Sequence, residues 1–151
     1  MRYASYAAGA VLLAMTGCRH TPPSLLDGHA ALPDRSHVLV QGETNLPDQA
    51  QILISLQDQK DQTVVVQGLP LVKDGRFRSL LTLPDGLSGG AYLIRLSFSP
   101  TAFDWSKGLV LKSVGRKGEY LSGERVKRVG NVTILQRDLP LLIPTDKGGA
   151  T

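Results

Sequence analysis

The sequence predicts an all-β protein, a single antiparallel β-sandwich of about seven short strands. Three observations carry that prediction. Apolar residues alternate with polar ones at a period of two in several separate runs, which is the signature of half-buried strands. Turn-forming residues are plentiful, with 16 glycines and 9 prolines spread between those runs. No stretch after residue 36 keeps a helical period for more than two turns. A hydrophobic share of 42% and a charged share of 20% exclude a disordered chain and a multi-span membrane protein.

In chain order, the first β-rich run is Val38 to Gly42. Ala50, Ile52, Ile54 and Leu56 then alternate with Gln51, Leu53, Ser55 and Gln57. Thr63 to Gln67 is a shorter run. Phe77, Ser79, Leu81 and Leu83 define the next strand, and Tyr92, Ile94, Leu96 and Phe98 the one after it. Gly108 to Val114 and Asn131 to Arg137 complete the set. Between them lie turns with recognisable chemistry: Asn45-Leu46-Pro47-Asp48, Pro84-Asp85-Gly86, and Asp74-Gly75, a pair that favours a tight hairpin. Pro70 and the outward arginines and lysines suit the protection of sheet edges. Strands of this number and spacing between residues 36 and 143 fit an immunoglobulin-like sandwich that lacks the usual cysteine pair. The segments Gly42 to Asp48, Val72 to Phe77 and Gly89 to Tyr92 resemble small transthyretin-like or immunoglobulin-like domains of bacterial surface lipoproteins. That resemblance spans about residues 38 to 115 and implies a β-sandwich without naming a ligand.

The N-terminus has a different character. Arg2 is followed by the uncharged, mostly apolar Ala7 to Met15 and then by Thr16, Gly17 and Cys18, the pattern of an export signal too short to be a stable membrane span. Met15-Thr16-Gly17-Cys18 resembles the lipobox of bacterial lipoproteins, with Met15 where the family usually has Leu. The resemblance implies cleavage between Gly17 and Cys18 and a diacylglyceryl thioether on Cys18, which would anchor the chain in a lipid bilayer. Two acyl chains meet the need for stable anchoring at about 0.8 kcal/mol per buried methylene. Arg19 rather than aspartate after the cysteine implies the outer membrane in preference to the inner. The expected organisation is signal peptide 1–17, lipidated flexible tether 18–35, sandwich 36–143 and polar tail 144–151. Within the tether, Ser24 to Asp27 fits a capping box and would allow one helical turn.

The chemistry-bearing residues point away from catalysis. Gly86-Leu87-Ser88-Gly89-Gly90 satisfies G-x-S-x-G, but a nucleophile elbow must open a helix and be followed by a histidine. Here a strand follows, and His20, His29 and His37 all precede Ser88. Those histidines lack fixed ligand spacing, so no metal site and no cofactor is expected. The carboxylates are scattered through turns, with no pair suggesting acid and base duty. Charge is asymmetric in the C-terminal third, where Lys107, Lys112, Arg116, Lys117, Arg125, Lys127 and Arg128 face only Glu119 and Glu124. Lys112, Arg116, Lys117, Arg125, Lys127 and Arg128 form a candidate basic surface for binding anions: lipid head groups, lipopolysaccharide, an acidic envelope polymer or an acidic partner. Phe103 and Trp105 form a candidate interface loop. The expected function is a non-enzymatic, membrane-anchored module that binds or scaffolds another envelope component, with nucleic acid excluded as a partner. The alternative is a small hydrolase, or an enzyme accessory, centred on Ser88.

Overall fold

The period-two alternation builds two antiparallel sheets in the computed structural model, which describes residues 22–102 and 108–145. The elements are β1 (Leu26–Ala31), β2 (His37–Thr44), β3 (Leu53–Asp58), β4 (Val64–Gly68), β5 (Arg76–Thr82), β6 (Gly90–Phe98), α1 (Leu109–Val114), β7 (Val126–Val129) and β8 (Val132–Ile143). One sheet has the order β1-β2-β5 and the other β4-β3-β6-β8-β7. All neighbouring strands run antiparallel. In immunoglobulin terms, β1, β2 and β5 take the places of strands A, B and E. Strands β4, β3, β6 and β8 take those of C′, C, F and G, and β7 is added outside the last.

The inner faces follow the alternation in the sequence. Val38 and Val40, Phe77 and Leu81, Ile54 and Leu56, the series Tyr92 to Phe98 at every second residue, and Leu135 and Leu139 are all buried. Each such aliphatic side chain contributes about 1.5–3 kcal/mol relative to exposure. The Asp74-Gly75 hairpin forms as expected. Both residues have positive φ, 50° and 73°, as a type I′ turn requires. Lys73 and Arg76 exchange backbone bonds of 2.9 and 3.0 Å.

Gly28, Gly42 and Phe77 stand side by side across the smaller sheet. A Cβ on Gly42 would collide with the Phe77 ring and the Asp27 carbonyl, so the ring occupies the space that the glycine leaves empty.

Four expectations need correction. Among the described residues the strands number eight, in keeping with the expected seven or so: β1 (inside the segment read as tether) and β7 are gained and the run 108–114 is lost. The supposed tether ends by Pro23, where Asn45 fastens it: Leu25 N–H donates to Asn45 Oδ1 (2.7 Å) and Asn45 Nδ2 donates to the Pro23 carbonyl (2.9 Å). Ser24 to Asp27 is therefore extended, paired through Leu26 and Asp27 with Thr44 and Glu43, and not helical.

Gly108 to Val114 forms helix α1 instead of a strand. Val110 and Val114, four apart, share its buried face, a period that a short apolar run cannot distinguish from a strand. The last strand runs on past Arg137 to Ile143, through Pro140. Beyond Leu135 one side of β8 has no pairing strand, so the missing proline N–H costs no ladder bond there.

Candidate functional site

Strand polarity defines two ends of the sandwich. At one, called the basal end, β1 begins and β2 and β6 finish, and α1 and the segment 115–125 lie beyond β6. Residues 115–125 are stitched to the framework by backbone bonds. Ser24 N–H donates to the Ser122 carbonyl (2.8 Å), Thr133 N–H to Lys117 (2.8 Å) and Gln136 N–H to Arg125 (2.9 Å). A Cβ on Gly123 would touch Pro23. The start of the described chain thus lies against the segment that carries the basic residues.

This stitching brings the six predicted cations to one end. Lys112 and Arg116 line one shallow depression with Leu109 and Leu111. Lys117 bonds through its carbonyl to Thr133, the register partner of Arg128, so Lys117 and Arg128 flank the same row of β8. Lys127 and Arg128 alternate to opposite faces of β7, so they do not form one flat patch. Arg125 is half-buried beside Gln136. Of the two nearby acids, Glu119 accepts the Lys117 N–H (3.0 Å). That bond, with help from the Lys117 and Arg116 charges, holds its pKa below the ordinary value of 4.5. The exposed apolar side chains Leu109, Tyr120 and Val129 sit among these cations, a feature that the count of charges did not reveal. Phe103, Trp105, Lys107, Gly17 and Cys18 lie outside the described residues.

A second feature is an open concavity of about 760 Å³ on the outer face of the three-stranded sheet. Two cross-strand rows line it, Asp27 with Glu43 and Arg76, and His29 with Gln41 and Arg78; Leu71 and Lys73 rise at one side. Arg137 reaches from the other sheet to place Nε 3.3 Å from Asp27 Oδ1. Its charges of both signs lie close together, so they favour neither a simple anion nor a cation. Sequence reading missed it because its residues come from separate strands and meet only through register.

The G-x-S-x-G segment has a structural role. The Tyr92 hydroxyl donates to the Ser88 carbonyl at 2.6 Å, four residues upstream at the start of the F-equivalent strand. This is a tyrosine corner. The Ser88 hydroxyl is 3.5 Å from the Tyr92 hydroxyl, and among the described residues no histidine bonds to it. His29 lies in β1, and His37 Nδ1 is 2.9 Å from both oxygens of Asp34. Among the described residues there is no group of three or more histidine, cysteine or acidic side chains placed to hold a metal ion, and no helix is long and apolar enough to cross a membrane.

No protein-family model matches the chain, and no curated protein or solved structure shows significant similarity to it.

Proposed function

We propose that this protein is a lipid-anchored lipoprotein of the bacterial envelope, more specifically of the outer membrane, whose sandwich binds or scaffolds another envelope component without catalysing a reaction. The observation that carries the reading is the relation between Cys18 and the fold. The lipobox-like Met15-Thr16-Gly17-Cys18 ends four residues before Pro22, where the described chain begins, and the apolar core of the described residues runs from Leu26 to Ile143, after the cleavage point that the lipobox implies. Removing a signal peptide at Cys18 would remove none of the side chains of that core. A thioether on Cys18 would also account for a lone cysteine in an exported chain.

Labelled palmitate should enter the full chain in a bacterial host and fail to enter a Cys18→Ala variant. The labelled protein should fractionate with the outer membrane. An unlabelled, freely soluble wild-type chain would rule out the anchor. Copurification of one envelope component from detergent-solubilised membranes would support the binding role. A Ser88 adduct with a serine-directed probe, together with an activity lost in Ser88→Ala, would favour the hydrolase instead.

A further inference from the structure

We infer that the sandwich does not stand off from the bilayer but sits on it, basal end down, with Lys112, Arg116, Lys117, Lys127 and Arg128 against anionic phospholipid head groups. The inference rests on the lipid-anchor reading, which fixes Cys18 in the membrane. Its first support is length. A tether of residues 18–35 could have held the domain at a distance, but the chain is already fastened at Pro23 and Leu25 by Asn45. From Cys18 to Pro22 there are four residue steps. Fully extended, they span about 14 Å at most, little more than the diameter of one helix. The basal end is therefore the part of the domain that must face the bilayer.

The second support is charge. The end tied to the anchor, with its 45–52 and 69–75 turns included, holds the six cations and Lys73 against Asp48, Asp74, Glu119 and Glu124, a surplus of cations, while the opposite end, formed by residues 32–36, 58–63 and 83–89, holds Asp34, Asp58, Asp61 and Asp85 against Arg35 and Lys60. The sandwich is thus polarised along its long axis, and an anionic surface attracts one end and repels the other. The third support is the company the cations keep. Leu109 is 77% exposed at the start of α1, Tyr120 64% and Val129 53%. Apolar and tyrosyl side chains among lysines and arginines suit the boundary between head groups and acyl chains. The anchor supplies a high local concentration, so the protein surface itself needs only weak affinity.

The experiment uses the chain from residue 18 onward, which carries every described residue, with Cys18→Ser so that no acyl chain contributes. Cosedimentation with vesicles of phosphatidylglycerol and phosphatidylcholine in equal parts is compared with phosphatidylcholine alone at low ionic strength. Partitioning onto the anionic vesicles should be measurable at low ionic strength, should exceed that onto phosphatidylcholine alone, and should fade as salt is raised. The triple variant Lys117→Glu, Lys127→Glu, Arg128→Glu should lose at least about 100-fold of it, while keeping the wild-type circular dichroism. Asp85→Lys, which adds charge at the far end, should change it less than about twofold, which separates orientation from net charge.

Equal partitioning onto both vesicle types, or an unchanged triple variant, would overturn the inference. So would binding to a soluble acidic polymer with none to phosphatidylglycerol vesicles. Because no lipidation is involved, a failure of palmitate labelling in cells leaves this measurement intact, and the two ideas fail separately.

Discussion

Single residues at two positions show how local chemistry holds this sandwich. The Tyr92 hydroxyl, on a side chain that is only 3% exposed, satisfies the Ser88 carbonyl and so fixes the corner between β5 and β6. Tyr92→Phe should lower the unfolding free energy by about 1–2 kcal/mol in urea titrations, because a carbonyl loses its donor and the ring keeps its packing. Ser88→Ala should cost much less, since the bond uses the backbone oxygen of that residue. A loss for Ser88→Ala as large as that for Tyr92→Phe would refute the tyrosine-corner account. Gly42 is the second case. Gly42→Ala drives a methyl into the Phe77 ring and the Asp27 carbonyl, and should cost about 1–3 kcal/mol of stability by the same measurement.

Elements decide where the domain begins and how it responds to acid. β1 carries Leu26 into the core and pairs with β2 along its whole length. Deleting residues 1–21 should leave the thermal unfolding midpoint within a few degrees of the full chain. Deleting through Ala31 should abolish the cooperative transition, because it strips a strand and opens the core. If instead the shorter chain melted like the full one, β1 would be dispensable and the tether reading restored.

The turns between elements set the acid response. Asp34 accepts the Ser36 N–H (2.7 Å), Asp61 the Thr63 N–H (2.9 Å) and Glu119 the Lys117 N–H, and these backbone bonds hold all three pKa values below their ordinary ones of 3.8, 3.8 and 4.5. A folded pKa below the unfolded one means that the unfolded chain binds protons first. The contribution is therefore complete above the unfolded values and is lost as pH falls through the folded ones. The urea midpoint should be level near neutrality and fall below about pH 4.5, and more shallowly in the Asp34→Asn, Asp61→Asn, Glu119→Gln variant. An identical slope in that variant would show that other groups govern the acid response.

On the scale of the whole molecule, the sandwich is a short rod with unlike ends. The strand order places the chain start, α1, and the β7–β8 hairpin together, and sends the turns that carry Asp34, Asp58, Asp61 and Asp85 to the other end. If the basal end meets the bilayer, the concavity lies at the side of the three-stranded sheet close to the membrane surface, and the 58–63 and 83–89 turns point into the space beyond the membrane. A partner in the envelope would reach those surfaces first. Substituting Arg76 and Arg78 by Ala should then reduce copurification of such a partner without changing vesicle partitioning. Loss of both together would assign the two surfaces to one role.

Much of this was legible in the sequence, for a physical reason. Alternation at Tyr92, Ile94, Leu96 and Phe98 has one solution in which every apolar side chain leaves water, and all four are buried in β6. Asp74-Gly75 specified its turn because few residue pairs tolerate two positive φ values. The basic bias of residues 112–128 was also plain, since charge can be counted. What needed the tertiary structure depends on partners remote in sequence. His29 and Gly28 look like linker residues until β2 pairs with them, and Val126 to Val129 becomes a strand only because β8 is there to receive it. Val110 and Val114 share the buried face of a helix, but their spacing of four fits a strand as well, so the six residues alone do not dictate which forms. Local sequence determined the class of fold and its turns through periodicity and backbone sterics. Only the folded chain determined which charges share an end, because that follows from cross-strand register and from bonds such as Ser24 to Ser122, 98 residues apart.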